Sequence, residues 1–207
     1  MGASKRKGQA APSELLSAVR SAVLSGGELH ALSGGEDMAE VIETAVRAFG
    51  PCRGVVSTAM VHASACNTLL RLERDGLVSR WTFFVFWGIG RWHVGGAVDA
   101  VLRAVGDRIR GAVSHAKFCA LEAADGRALG ILTSANLNRN CRSESYLISS
   151  DPALGRMLLD CCASLERFGA AYGRNAGYYD DAAEAAFGAC AVARSGESLA
   201  DMVRRLG

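Results

Sequence analysis

The segment S-H-A-K-F-C-A-L-E-A-A-D-G-R-A-L-G-I-L-T-S-A-N-L-N-R-N-C-R-S-E, Ser114 to Glu144, decides the fold prediction. Two mostly apolar runs flank Asp125-Gly126 at its centre, and such a pair is a strong signal for a two-residue β-hairpin turn. Both central residues of that turn have φ above zero. The turn places Ala124 opposite Arg127 and thereby fixes every later pairing along the two strands.

Four polar residues meet at the open end of this predicted hairpin. In the register that the turn sets, Lys117 lies opposite Ser134, and His115 lies opposite Asn136. Side chains alternate across a strand, so residues two apart share a face, and opposed residues lie within about 5.5 Å at Cβ. The cluster offers an imidazole that can act as nucleophile or base, the fixed cation of Lys117, and two neutral hydrogen-bonding groups. This combination suits attack on a phosphodiester. The alternative is an ordinary polar strand end.

The same residues resemble the HKD motif of the phospholipase D superfamily. That motif consists of H-x-K, four residues, an Asp, then G-S-x-N and a later Glu. This chain has His115-Ala-Lys117, then T-S-A-N over residues 133–136, then Glu144. The resemblance is specific over residues 114–144, and elsewhere it concerns only the order of elements between about residues 52 and 151.

Three departures from the motif are visible in the sequence. Glu122 stands at the Asp position, Thr133 stands at the usual Gly, and four more residues precede Ser134. A longer hairpin accounts for the extra residues. Glu122 lies on the opposite face of its strand from His115, so it is interpreted as structural.

The resemblance implies a two-step reaction at phosphorus. The His115 imidazole attacks to form a phosphohistidine, which water later releases. Lys117 and Asn136, with Ser134 beside them, stabilise charge on the non-bridging oxygens. Glu144 holds the Nδ1 proton of the imidazole and so fixes its tautomer. No metal and no other cofactor is implied.

The number of motifs implies a homodimer. A second imidazole is needed to protonate the leaving oxygen and then to take a proton from water. Members of the superfamily carry two H-x-K motifs around a two-fold axis, whereas only His115 of the four histidines here lies in one. Two identical chains are therefore expected to combine, each contributing to one shared site.

Further residues are candidates for substrate binding. Arg139 and Arg142 follow Asn136 and are candidates to hold flanking phosphates, or else ordinary exposed loop arginines. Ser57 lies near the C-terminal end of a predicted strand, where open α/β sheets place ligands. His62, in the first turn of the next helix, is a candidate for the site or for a helix cap.

The whole chain predicts an α/β fold, and the resemblance implies a phospholipase D-like mixed sheet with helices on both sides. Residues 1–12 are expected to be a disordered basic tail, residues 13–151 the α/β domain, and residues 152–207 helices packed on that domain.

Ser13 is the expected N-cap of the first helix. His30 is expected in a loop between two Gly-Gly pairs. Besides the hairpin, strands are predicted at residues 52–60, 81–87, 108–113 and 145–150. Helices are predicted at residues 14–24, 37–49, 61–74 and 94–105.

Composition narrows the class of protein. A length of 207 residues can bury a core, and a net charge of +2 argues neither for nor against a polyanionic partner. Seven scattered cysteines without zinc-site spacing indicate buried thiols in a reducing compartment. No segment approaches the ~18 apolar residues of a membrane span, and the start lacks the apolar run of a signal peptide. We therefore expect a cytoplasmic protein.

Three functions fit these observations. Small single-motif members of the superfamily are often nucleases, whereas its lipid enzymes usually carry two motifs in a longer chain, so a nucleic acid is the expected substrate. The second function is that of a phospholipid hydrolase or phosphatidyltransferase. The third is a non-catalytic scaffold that binds DNA or a protein.

Overall fold

The computed structural model describes residues 13–33, 35–86, 105, 108–112, 114–138 and 143–166. The strands in these ranges are β1 (Glu28–Leu32), β2 (Cys52–Thr58), β3 (Val78–Phe86), β4 (Ile109–Ala112), β5 (Phe118–Glu122), β6 (Ala128–Thr133) and β7 (Ser145–Ser149). The helices are α1 (Glu14–Ser25), α2 (Met38–Phe49), α3 (Ala63–Arg74) and α4 (Pro152–Glu166). The strands form one sheet in the order β1-β7-β6-β5-β2-β3-β4.

The sheet is mixed, with helices on both faces. β2, β3 and β4 run parallel, whereas β2 pairs antiparallel with β5, and the strands from β5 to β1 are all antiparallel to their neighbours. In β5, Cys119 and Leu121 enter the core formed with α1, α2 and α3, whereas Phe118 and Ala120 enter the core formed with α4. The predicted fold class, a mixed sheet flanked by helices, is confirmed.

Glycine lets α4 approach the sheet closely. A Cβ atom on Gly130 of β6 would lie 2.6 Å from Cγ of Leu154, and a Cβ on Gly155 would lie 2.7 Å from that of Ala128. The predicted helix after Pro152 is confirmed over α4, while residues 167–207 lie outside the described ranges, as do residues 1–12 and 87–104. None of the four described helices is long and apolar enough to cross a membrane.

The cysteines that the structure describes are mostly core residues. Cys52, Cys66, Cys119 and Cys162 are buried, and Cys161 is half-buried. Burial raises the pKa of the Cys52 and Cys66 thiols to about 12, so both are neutral at physiological pH. The prediction of buried thiols is confirmed for Cys52, Cys66, Cys119 and Cys162.

The prediction of a loop around His30 is wrong. Residues Glu28–Leu32 form β1, which pairs antiparallel with β7 from Glu28 opposite Ser149 to Leu32 opposite Ser145. Exposed and half-buried residues alternate along it. A five-residue edge strand carries a weak local signal, because its pairing with a segment more than 100 residues away decides it.

The hairpin forms as predicted, but its turn has three residues rather than two. Ala123 N donates to Arg127 O at 2.9 Å, and Gly126 N donates to Ala123 O at 3.1 Å. Gly126 has φ of 86°, whereas no described non-glycine residue has positive φ. The Asp125 carboxylate accepts from Arg127 N at 3.0 Å and from its Nε at 2.8 Å. These contacts favour a turn that ends in a left-handed glycine over one in which Asp125 itself has positive φ.

This turn shifts the strand register by one residue. Thr133 N donates to Lys117 O at 3.1 Å, so Lys117 lies opposite Thr133. The predicted pairing of Lys117 with Ser134, and of His115 with Asn136, is wrong. The regular ladder therefore does not pair these side chains, and contacts beyond the strand ends decide where each of them lies.

Asp125→Gly distinguishes the two turns. In the observed turn the substitution removes both Arg127 contacts, and we expect a lower midpoint of urea denaturation. In a two-residue turn with positive φ at position 125, glycine would raise the midpoint. Asp125→Asn keeps an oxygen for Arg127 N, so its midpoint should lie between those of Asp125→Gly and the parent protein.

Gly126→Ala should cost about 1–2 kcal/mol of unfolding free energy because alanine resists the left-handed conformation.

Candidate active site

One edge of the sheet, which we call the site edge, collects the predicted motif residues in the described ranges. β5 begins directly after Lys117, β6 ends directly before Ser134, and β7 begins directly after Glu144. Since neighbouring strands alternate in direction here, these three points lie at the same edge, together with the C-terminal end of β2. The shifted register changes which residues face each other but not which edge they occupy.

The H-x-K segment lies against the end of β2. The Ser57 hydroxyl donates to the carbonyl of Ala116, the middle residue of H-x-K, at 2.9 Å. The Lys117 ammonium lies 3.0 Å from Nδ1 of His115 and donates to its carbonyl oxygen at 2.9 Å. The His115 side chain is exposed. The imidazole is thus accessible to a substrate, with a cation directly beside it.

Two opposing effects act on the pKa of Lys117. Desolvation lowers it below the ordinary value for lysine, and the negative charge of Glu144 works in the opposite direction. The charges of the two residues therefore act on each other, although 27 positions separate them along the chain. We call Lys117 and Glu144 the electrostatic pair at the site edge.

Ser134 and Glu144 are linked to each other. The Ser134 hydroxyl donates to Oε2 of Glu144 and accepts from Ser145 N at 3.0 Å, while Ser134 N donates to Ser145 O at 3.2 Å. These bonds anchor the segment after β6 to the start of β7. The predicted bond between Glu144 and Nδ1 of His115 stays a prediction.

Asn136 has a defined amide orientation. Its Oδ1 accepts from the backbone N–H groups of Ala59 at 3.2 Å and Met60 at 3.0 Å. Only the amide oxygen can accept these bonds, so the NH₂ group is the end of the side chain that remains to donate. Such a group suits the negatively charged oxygens of a phosphate.

The residues predicted to bind substrate have different surroundings. His62 is the N-cap of α3: its Nδ1 accepts from Ser64 N at 3.3 Å and lies 2.8 Å from the Ser64 hydroxyl. Ser57 is 1% exposed. Arg139 and Arg142 lie outside the described residues. Substrate contact by these four residues stays a prediction.

A groove that sequence reasoning missed opens beside Ser134. It has a volume of about 690 Å³ and crosses β1, β7 and β6. Leu32, Leu132 and Leu147 contribute to its lining, together with His30. A loop around His30 does not predict this groove, because one side of it is formed by the strand β1. Its lining includes Ser134 but neither His115 nor Lys117, so it lies alongside the motif residues.

The described residues contain no group of three or more His, Cys, Asp or Glu side chains placed to hold a metal ion. The Glu144 carboxylate accepts a hydrogen bond from the Ser134 hydroxyl.

Comparison with known proteins identifies the fold. No protein-family model and no curated protein sequence matches the chain. Among solved structures, Nuc from Salmonella typhimurium, a phospholipase D family member, matches at 15% identity and a TM-score of 0.51, covering 70% of this chain and 97% of Nuc. Phosphatidylserine synthase from Haemophilus influenzae matches at 10% identity and a TM-score of 0.53, covering 84% of this chain and 47% of the synthase.

The electrostatic pair at the site edge is testable without a substrate. Glu144→Gln removes the charge that raises the pKa of Lys117, so we expect that pKa to fall further below the ordinary lysine value. An NMR titration that follows ¹³Cε of Lys117 measures the shift. Glu122→Gln is the control, because Glu122 pairs with Arg53 at the opposite end of β5. An unchanged Lys117 pKa in Glu144→Gln would contradict the pairing.

Proposed function

We propose that this chain, which has the fold of the phospholipase D superfamily, is a phosphodiesterase that acts through a phosphohistidine at His115. The observation that carries the proposal is the site edge itself. There an exposed imidazole lies 3.0 Å from an ammonium group, and Asn136 and Ser134 are held at the ends of the adjoining strands. This arrangement combines a nucleophile with hydrogen-bond donors suited to a phosphate.

The first step forms a bond between Nε2 of His115 and phosphorus while the bond to the leaving oxygen breaks. The attacking imidazole is neutral, with its proton on Nδ1. We infer that Lys117 moves from Nδ1 to a non-bridging oxygen when phosphate binds, because its ammonium is drawn to negative charge. Nδ1–H can then donate to Glu144. The NH₂ group of Asn136 stabilises the second non-bridging oxygen.

A second imidazole completes the cycle. It donates a proton to the leaving oxygen and then accepts one from the water that attacks the phosphohistidine, and the electron pair of the N–P bond returns to Nε2. His62 caps a helix, His30 pairs with Glu28 on the edge strand β1, and His93 lies outside the described residues. Only His115 belongs to an H-x-K motif, and members of the superfamily combine two such motifs. We therefore assign this role to His115 of a second copy, in an isologous homodimer with one shared site.

A nucleic acid is the proposed substrate, because this sequence shows one H-x-K motif, and single-motif members of the superfamily are often nucleases. The groove beside Ser134 favours a second candidate. Its leucine side chains, among them Leu32 with 76% of its surface exposed, could contact the acyl chain of a phospholipid. A phospholipid hydrolase or phosphatidyltransferase is therefore the second proposed activity.

His115→Ala should lower kcat for phosphodiester cleavage at least about 10³-fold while substrate binding persists. In a shared site both copies must carry His115. When parent and variant chains are refolded together in equal amounts, about one quarter of the dimers keep both imidazoles, so activity should follow the square of the parent fraction.

The control for this mixing experiment is Glu122→Gln, which alters an ion pair away from the site edge. Mixtures with that variant should keep full activity. Activity that falls linearly with the His115→Ala fraction would contradict the shared site. A parent protein that binds DNA but never turns over any phosphodiester would instead favour a non-catalytic scaffold.

Substrate class can be tested by assaying single-stranded DNA, double-stranded DNA, RNA and phospholipid vesicles side by side in EDTA. We expect cleavage of nucleic acid to persist in EDTA, since the proposed nucleophile is an imidazole and the proposed cation is Lys117. Leu32→Asp places a charge in the groove and should leave DNA cleavage within about twofold of the parent. Turnover of phospholipid alone, abolished by Leu32→Asp, would replace the nuclease proposal with the lipid one.

A further inference from the structure

We propose that Ser57 and Thr58, the last two residues of β2, are positioning residues that hold the two halves of the motif in their working arrangement. This inference rests on the proposed function. It assigns to Ser57 a role different from substrate contact and introduces Thr58 as a residue of the site. Both side chains are buried, with 1% and 0% of their surface exposed, and each is hydrogen-bonded to a different half of the motif.

Ser57 holds the first half. The last backbone pair between β2 and β5 joins Ser57 to Phe118, and the chain before Phe118 is not a strand. The Ser57 hydroxyl donates to the Ala116 carbonyl at 2.9 Å, two residues before that pair. A side-chain donor thus extends the attachment of the chain to β2 beyond the regular ladder. The carbonyl that it binds lies between His115 and Lys117.

Thr58 holds the second half. Its Oγ1 accepts from Leu137 N at 2.9 Å and donates to Met60 O at 2.7 Å. The first bond fixes the chain directly after Asn136. The second closes the turn in which the N–H groups of Ala59 and Met60 face Oδ1 of Asn136. One hydroxyl therefore fixes both sides of the contact that orients the Asn136 amide.

The alternation of side chains along a strand explains why two consecutive residues can do this. Ser57 and Thr58 are consecutive in β2, so their side chains leave the strand in opposite directions, and the end of β2 can bond to two different chain segments at the site edge. Neither residues 115–117 nor residues 134–136 lie in a strand. Their mutual geometry therefore depends on these side-chain bonds together with a few isolated backbone bonds, such as His62 N to Leu137 O at 2.8 Å. A misplacement of about 1 Å can cost about 10²-fold in rate.

Thr58→Val removes the hydroxyl at nearly constant volume. We expect kcat to fall about 10–100-fold with KM within about threefold, because the amide of Asn136 loses its orientation but the other binding groups remain. Thr58→Ser keeps the hydroxyl and should restore kcat to within about threefold of the parent. Ser57→Ala should also lower kcat, by disturbing the H-x-K segment.

A double-mutant cycle separates positioning from a general structural role. If Thr58 acts through Asn136, Thr58→Val should lower kcat less than about threefold in an Asn136→Ala background. Equal effects in both backgrounds would overturn the proposal. Ser149→Ala is the matched control: Ser149 is a buried serine whose hydroxyl accepts from Asp151 N at the opposite edge of the sheet, and its loss should leave kcat unchanged.

A second readout does not depend on turnover. In an amide-resolved NMR spectrum, Thr58→Val should shift the N–H signals of Ala59 and Met60 in the same direction as Asn136→Ala does, while Thr58→Ser leaves them near the parent positions. Unshifted signals in Thr58→Val would overturn the positioning role. If the parent protein cleaves no phosphodiester, the proposed function fails, but this spectrum still decides whether Thr58 orients Asn136.

Discussion

The antiparallel pairing of β5 with both of its neighbours is the constraint on which the candidate site depends. Because β2 and β6 each run opposite to β5, the C-terminal ends of both strands lie beside the N-terminal end of β5. The H-x-K segment enters β5 at this edge, and the S-x-N segment leaves β6 there. The hairpin between them can change in length or turn type without moving either segment to the opposite edge.

At the site edge, the main hydrogen-bond acceptors are already bonded within the protein, whereas donors and a cation face the ligand position. The oxygen of Asn136 is occupied by two backbone N–H groups, and the carboxylate of Glu144 accepts from Ser134. The Lys117 ammonium is partly desolvated, which strengthens its interaction with an anion that arrives from solvent. The groups left to meet a ligand are therefore mainly N–H donors and a cation beside the His115 imidazole. This pattern complements a phosphate.

Two of the three departures from the motif that the sequence resembles, Glu122 and Thr133, make structural contacts. Glu122 forms an ion pair with Arg53 of β2, at the end of β5 opposite to the site edge. Thr133 Oγ1 accepts from Ala135 N at 3.0 Å, which stabilises the bend at the end of β6. These residues contribute to the pairing of β5 and to the exit from β6. The chain thus keeps the fold of the matched structures although only 15% and 10% of its residues are identical to theirs.

The local sequence determined the fold class, the hairpin and the residues around which the site is proposed, because a turn signal and a short motif are encoded by neighbours in the chain. The register depends on a local contact that the Asp-Gly pair alone does not specify, because the bonds from Arg127 to Asp125 favour one of two turns that share this dipeptide. Tertiary structure decided β1, which exists through its pairing with β7, and the bond between Thr58 and the chain beside Asn136. Those partners lie 79 or more positions apart, and no local pattern encodes such a contact.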